Sequence, residues 1–342
     1  MNIIDNSLEK TLEQLCSNNT NELPFDNSKH TYFARYMEMA EKLNREFHDH
    51  VLAGSSAIDG GILTDHGPDH IKTVIQRASI LLNNPNNRYR LYGYEIYLLL
   101  CAIHFHDLGN INGREKHEKR VVSMMEYVKD YLGDAIEKDM IRQIASAHGG
   151  EINGDPDTIS YLSPTEPLNG IDVRPRMLAA ILRFSDEIAD DHHRANKALQ
   201  RLGAIPKQSE IFHKYASSLH SVMVRDDCQS IELSYSISLD DIQNKFPKLN
   251  KNTKRYRSEY IVDEILSRLF KMYNERTYCN RFMSPIVNIR SISVRIRASK
   301  YSKEIGEKLP EISFRLEEAG YPSGHADGIY ALSNDLGRKL IN

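Results

Sequence analysis

One apolar run constrains the fold more than any other stretch of this chain. Residues 96–103 (IYLLLCAI) place apolar side chains on every face of a helix, which predicts burial on all sides. The run is shorter than the roughly 20 apolar residues that a bilayer-spanning helix needs. It closes on His104-Phe105-His106-Asp107, and burying an imidazole and a carboxylate without partners is costly. The run therefore predicts a helical core that ends at a hydrogen-bonded, ion-paired or metal-bound polar site.

Composition indicates an ordinary globular protein. The 342 residues are 40% hydrophobic and 27% charged, which supplies a large core for one domain or a domain with an appendage. The net charge of −3 argues against a protein that mainly coats nucleic acid. The four cysteines have no CxxC spacing, and the start of the chain lacks a long apolar segment. We therefore expect a cytoplasmic location without a disulfide framework, a secretory signal or a membrane span.

Side chains of the metal-ligand type recur at the ends of the predicted helices or beside them. They are His70, His106, Asp107, His117, His148 and Asp186. His70 opens a helix, His148 ends one, and Asp186 lies beside the apolar stripe of a long helix predicted from Arg176 to Leu202. Imidazoles and carboxylates from separate helices can converge on one divalent ion. The order of these residues thus predicts a metal site within a helical bundle.

Three segments together resemble the signature segments of the HD-domain metal-dependent phosphohydrolase superfamily. They are His70–Val74, Ala102–Gly109 and Leu182–Asp186, and the similarity covers roughly residues 60 to 200. The resemblance implies that His70, His106, Asp107 and Asp186 bind a divalent metal, which is Mn, Fe, Ni, Zn or Mg. It also implies that His117 and His148 either hold a second ion or act on the leaving group or the phosphate.

The match to that superfamily is incomplete in three places. His148 is followed by Gly149 where subfamilies with two metals often have a His-His pair, and no Gly-Tyr-Pro signature follows the doublet. His117-Glu118 resembles a His-Glu pair of deoxynucleoside triphosphate triphosphohydrolases, but it lies closer to the doublet than in those enzymes. His117, His148 and Glu118 are interpreted as catalytic residues, and the two histidines also as metal ligands.

Cations near the predicted site indicate phosphate binding. Arg114 and Lys116 lie in the loop that leaves the doublet, and Arg183 precedes Asp186 by one helical turn. Fixed positive charges beside a metal are what phosphoryl transfer requires. A solvent-facing role explains any one of these cations equally well. His104 is out of phase with the doublet and is interpreted as a packed core histidine.

A change of pattern beyond residue 203 predicts a second region. Residues 219–225 and 230–237 alternate with period two, which is typical of a hairpin, and 288–297 predicts a third strand. Residues 260–273 predict a long helix between them. Lysines and arginines crowd 245–257 and 290–297, which is compatible with a nucleotide or nucleic-acid surface but favours a solvated exterior.

These patterns predict a mainly α fold. We expect an N-terminal helix and linker over 1–29, an HD-type helical bundle over 30–205, and a smaller C-terminal α+β appendage of antiparallel strands plus a helix over 206–342.

The expected function is hydrolysis of a nucleotide phosphoester or phosphoanhydride bond, in a dNTP, NTP or nucleoside monophosphate, with one or two metal ions. One alternative is a phosphodiesterase or nuclease acting on cyclic or linear oligonucleotides, whose appendage binds single-stranded nucleic acid. Another is a nucleotide sensor without catalysis, and a homo-oligomeric state is left open. The chain has no Gly-x-Ser-x-Gly elbow and no Gly-x4-Gly-Lys-Ser/Thr loop, which disfavours a serine hydrolase and a P-loop enzyme.

Overall fold

The chain forms two units and returns to the first of them near its end. The computed structural model describes residues 7–18, 21–24, 31–48, 67–83, 89–109, 124–190, 202–203, 205–225, 229–250, 255–300 and 309–317. The first unit comprises Met1–Asp59, His66–Ala189 and Tyr278–Asn288, and the second comprises Gly60–Asp65, Asp190–Thr277 and Ile289–Asn342. The described residues are mainly helical with small sheets, which confirms the predicted character of the fold. The divisions near residues 29 and 205 stay predictions.

The first unit is built around the apolar helix. Its helices are α1 (Leu8–Ser17), α2 (Tyr32–Leu43), α3 (Pro68–Leu82), α4 (Gly93–Phe105), α5 (Ala135–Ser146) and α6 (Pro175–Glu187). Every residue of α4 is buried, and this helix contacts each of the other five. A π-helical turn, Asn44–His48, extends α2. Of the helices described in both units, none has the length and apolar character to cross a membrane.

Glu95 ties the start of α4 to the start of α6. Its buried carboxylate accepts hydrogen bonds from the backbone N–H of Tyr92 (2.9 Å) and from the backbone N–H (3.0 Å) and Nε (2.7 Å) of Arg174. Arg174 directly precedes α6, and α4 and α6 contain 13 residues each. Two helices of equal length that start at one ion pair and meet again at their ends run side by side. Glu95 therefore aligns the helices that carry the predicted ligands.

A short hairpin leads into α6. β1 (Glu166–Leu168) and β2 (Ile171–Val173) pair antiparallel across Asn169-Gly170. Both turn residues have positive φ, 50° and 83°, as a type I′ turn requires. The segment before α6 therefore contains two paired strands, and Leu168 and Val173 are buried.

Helix α6 is shorter than predicted. It ends at Glu187, so the prediction of one helix from Arg176 to Leu202 is wrong at its C-terminal end. The backbone N–H of Ala189 bonds to the carbonyl of Asp186 at 3.0 Å, a three-residue turn that closes the helix, and Ile188 and Ala189 are buried. Residues 191–201 lie outside the described part of the chain.

The second unit is α+β. Its elements in chain order are α7 (Lys207–Ser218), β3 (Leu219–Val224), β4 (Ser230–Ser238), α8 (Leu239–Gln243), β5 (Lys245–Asn250), β6 (Arg255–Tyr260), α9 (Ile261–Met283), β7 (Ser291–Ser299) and β8 (Glu311–Glu317). One sheet has the order β3-β4-β7-β8, and β5 and β6 form a separate hairpin. The last residues of α9, from Tyr278, belong to the first unit.

The strands of the main sheet are not all antiparallel. β3 and β4 form the predicted antiparallel hairpin, and β8 is antiparallel to β7. β4 and β7, however, pair in parallel from Ser230–Ser291 to Ser238–Ser299, so the expectation of antiparallel strands is wrong for this central pair. The reason is the connection, because β5, β6 and α9 lie between the two strands and provide the crossover that parallel pairing needs.

We expect Glu95→Gln to lower the free energy of unfolding by about 2 to 3 kcal/mol, because Arg174 loses a buried anionic partner. Urea unfolding measures the change. The control is Asp139→Asn, whose exposed ion pair with Arg142 contributes about 0.5 kcal/mol or less. Equal effects of the two substitutions would contradict the assigned role of Glu95.

Candidate metal centre

Four side chains of the predicted ligand set meet where α4 and α6 end. His70 of α3, His106 and Asp107 after α4, and Asp186 of α6 each offer one ligand atom, all within 4.8 Å of one another. His70 Nε2 lies 3.1 Å from Asp186 Oδ1 and 3.7 Å from Asp107 Oδ2, and His106 Nε2 lies 3.6 Å from both of these oxygens. Atoms bound at about 2.1 Å to a common ion stand about 3 to 4 Å apart. The spacing of this four-residue cluster therefore suits one divalent ion.

The ends of two helices orient two histidines in the same way. His106 Nδ1 lies 2.7 Å from the carbonyl oxygen of Ile103, and His148 Nδ1 lies 2.6 Å from that of Ala145. A carbonyl oxygen can only accept, so Nδ1 carries a proton in both rings. Both acceptors are carbonyls of the last helical turn, three residues before the histidine. The two bonds leave Nε2 as the atom available to a metal, the usual arrangement of ligating histidines.

Carboxylates control the protonation of the four-residue cluster. Burial alone lowers the pKa of His106, but the nearby Asp107 and Asp186 outweigh it and raise this pKa to about 9. Burial also favours the neutral form of Asp186, yet the adjacent imidazoles of His106 and His70 hold its pKa well below the usual range. The C-terminal ends of α4 and α6, which carry partial negative charge, adjoin the cluster. The site thus favours a positive charge, either a proton on His106 or a cation.

His148 lies on the other side of Asp107. Its Nε2 is 3.7 Å from Asp107 Oδ1, whereas His70 and His106 face Oδ2. The His148 ring packs edge-on against His106, with 5.0 Å between ring centroids. The sequence-predicted His148 is therefore brought next to the four-residue cluster, beside the second oxygen of a shared carboxylate.

The remaining predicted site residues are only partly described. Arg114, Lys116, His117 and Glu118 lie outside the described residues. Arg183 is described, and its Nη1 donates to Thr158 Oγ1 at 3.1 Å. Its role as a phosphate ligand stays a prediction.

The sequence interpretation missed His48. This residue, on the π-helical turn, is 1% exposed, and its Nε2 has no hydrogen-bond partner among the described residues. Burial and then the charges of His106 and His70 lower its pKa to about 3, so the ring is neutral. The sequence carried no local signal for this residue, because on an ideal α-helix His48 lies about 120° away from Tyr36.

His104 lies beside His48 and contacts Tyr36, which in turn bonds to Glu9. The two imidazole rings lie 5.6 Å apart, and His104 is buried as predicted for a core histidine. Tyr36 Oη gives its one proton to Glu9 Oε1 at 2.6 Å, so it must accept from His104 Nε2 at 3.3 Å. Burial lowers the pKa of His104 well below its usual value. Two neutral histidines thus lie behind the four-residue cluster.

We expect the purified protein to contain a divalent ion and the double variant His106→Ala/Asp107→Ala to lose it, because two of the four clustered ligands are removed. Elemental analysis by mass spectrometry measures the metal content. The control, Asp139→Ala/His220→Ala, removes an exposed carboxylate and an exposed imidazole that are not members of the cluster, and it should retain the metal. Undiminished metal in the first variant would rule out the assigned ligands.

We expect the chelator-treated protein to lose stability as the pH rises from 6.5 to 9. The folded-state pKa of His106 is raised to about 9 from 6.5, so its stabilising contribution is complete below pH 6.5 and is lost as the pH rises through 9. The loss is on the order of 3 kcal/mol. Urea unfolding across this range measures it, and His106→Gln should flatten the profile. An unchanged profile in that variant would show that another group titrates.

Comparison with known proteins assigns the family. The HD-CE family model matches residues 61–269. No curated protein and no solved structure gives a significant match. The matched residues include all four members of the cluster, and the family and the cluster together point to a metal-dependent HD-type hydrolase. Because the match covers more than half of its length, the chain belongs to the HD-CE family, an HD-like domain family.

Proposed function

We propose that this protein is an HD-type phosphohydrolase that cleaves a phosphoester or phosphoanhydride bond of a nucleotide. The observation that carries the proposal is the convergence of His70, His106, Asp107 and Asp186 at ligand spacing. A divalent ion held there (Mn, Fe, Ni, Zn or Mg) supplies the charge that activates water and stabilises phosphoryl oxygens. The proposed HD-type bundle runs over residues 30–205.

The exposure of the four ligand side chains indicates from which side a substrate approaches. The side chains of His70 and His106 are fully buried and that of Asp107 is 8% exposed, whereas that of Asp186 is 29% exposed. The Asp186 side is therefore the proposed entrance for a phosphate group. Arg183 lies one helical turn before Asp186 on α6 and is proposed to orient the phosphate there. Arg114 and Lys116 are proposed to act with it.

The position of His148 supports a site for two ions. Asp107 presents Oδ2 to His70 and His106 and Oδ1 to His148. One carboxylate with histidines at both of its oxygens can serve two ions at once. His148, with His117, is proposed to hold the second ion. In a site with one ion, His148 or His117 instead protonates the leaving oxygen, with Glu118 as the partner of His117.

The phosphodiesterase alternative requires a basic surface in the second unit, and the ion pairs there weaken it. Lys248 Nζ lies 3.0 Å from Glu259 and 2.6 Å from Glu264. Arg295 and Arg297 both face Glu311, at 3.5 and 3.3 Å. Cations that are already paired attract a phosphate backbone less strongly. We therefore propose a mononucleotide as the substrate.

One experiment tests the proposal. The protein is incubated with Mn²⁺, Mg²⁺, Ni²⁺ or Co²⁺ and a panel of dNTPs, NTPs, nucleoside monophosphates, cyclic dinucleotides and single-stranded oligonucleotides, and products are separated by chromatography. We expect release of phosphate, pyrophosphate or triphosphate from a mononucleotide. The variant His106→Ala/Asp107→Ala should release none, because it lacks two clustered ligands.

The other outcomes decide between the alternatives. Shortened oligomers or opened cyclic dinucleotides would establish the phosphodiesterase. Nucleotide binding without turnover under every metal, with the doublet intact, would establish the sensor. Activity that persists at the same rate in the doublet variant would contradict the proposed site altogether.

A further inference from the structure

The turn that carries His148 is held by a side chain from the following loop. Thr158 Oγ1 donates to the carbonyl oxygen of Ala147, the residue before His148, at 2.7 Å. The hydroxyl has one proton, so its contact with Arg183 Nη1 at 3.1 Å is one in which it accepts. Thr158 is 2% exposed. Its hydroxyl is therefore oriented by a donor and an acceptor, both from outside its own loop.

Tyr278 holds the same loop from another direction. Its Oη donates to Asp157 Oδ1 at 2.7 Å and accepts from the backbone N–H of Ile159 at 3.0 Å, so it fixes both neighbours of Thr158. The Arg183 guanidinium lies over its ring, with 4.8 Å from Cζ to the centroid. The contacts of Tyr278, Arg183 and Thr158 form one connected set, here called the Tyr278 bridge, that ends at the His148 turn.

Two glycines follow His148 directly, which makes a contact from outside the turn useful. Helix α5 ends at Ser146, and Gly149 and Gly150 directly follow the histidine. Gly150 has φ 75°, a conformation that glycine adopts readily, and glycine restricts the backbone least. The Nδ1 bond to Ala145 orients the ring relative to α5 but does not hold the turn from its far side.

Tyr278 comes from a part of the chain that the family match does not include. The HD-CE match ends at residue 269, whereas Tyr278–Asn288 belongs to the first unit. We infer that Tyr278 is a positioning residue of the metal centre, which acts through Arg183 and Thr158 to keep His148 Nε2 facing Asp107. The inference rests on the proposed function, in which His148 serves the site as a metal ligand.

Hydrogen exchange on the full chain without added metal tests the bridge itself. Tyr278→Phe keeps the ring and removes the two hydrogen bonds of Oη, so amides of residues 147–163 should exchange about tenfold faster. The matched control is Tyr161→Phe, because Tyr161 lies in the same loop but is 56% exposed. Exchange at wild-type rates in Tyr278→Phe would overturn the inference.

Mn²⁺ binding, followed by electron paramagnetic resonance of the free ion, tests the link to His148. We expect Tyr278→Phe to weaken Mn²⁺ binding about tenfold in the wild-type background and to have no further effect when His148→Ala is present. Equal weakening in both backgrounds would mean a general structural effect and would overturn the inference. Thr158→Val should reproduce Tyr278→Phe, whereas Thr158→Ser, which keeps the hydroxyl, should bind Mn²⁺ as the wild type does.

The two experiments separate this inference from the proposed function. Unchanged exchange in Tyr278→Phe defeats the positioning role and leaves the proposed metal site standing. Faster exchange combined with unchanged Mn²⁺ binding in His148→Ala defeats the proposed role of His148, and with it the positioning role. Faster exchange combined with coupled losses of Mn²⁺ binding supports both.

Discussion

The first unit depends on placing two carboxylates beside buried imidazoles in a region that excludes most water. Asp107 is buried, and the neighbouring His70 and His106 favour the charged form of Asp186. Such a group is costly to bury without a partner. The apolar helix α4 supplies the dry surroundings, and the Glu95–Arg174 pair at the opposite end sets the alignment of α4 with α6. The charged carboxylates of the site therefore depend on the packing of the helices that hold the imidazoles beside them.

The neutral histidines behind the cluster fit the same electrostatic requirement. His48 and His104 both have lowered pKa values, so they add no positive charge next to a place that favours a cation. A protonated imidazole there would repel a divalent ion, whereas a neutral one presents a dipole that can turn. Tyr36 and Glu9 then carry the polar contacts outwards to α1. A line of buried polar side chains therefore runs from the cluster through His104 and Tyr36 to Glu9.

The sequence revealed the ligands of the cluster better than it revealed their supports. His70, the His106-Asp107 doublet and Asp186 were found because each stands at a helix end or beside an apolar stripe, which periodicity detects. The Asn169-Gly170 turn carried a recognisable signal that the interpretation did not use. The parallel pairing of β4 with β7 and the contact of Tyr278 with Asp157 had no local signal, because both depend on residues far apart in the chain. His48 was hidden for a similar reason, since its neighbours lie on other helices.

Helix α9 begins in the second unit and ends in the first, and this has a consequence for synthesis on the ribosome. Residues 66–189 emerge early, but the segment Tyr278–Asn288 that completes their unit emerges only after Asp190–Thr277 has been made. Domains generally fold in the order in which they leave the ribosome, N-terminal first. Until then the His148 turn has its hydrogen bond from Thr158 but lacks the contacts of Tyr278 with that loop. The nascent protein therefore acquires this support of its candidate metal centre only after residues 190–277 have been made.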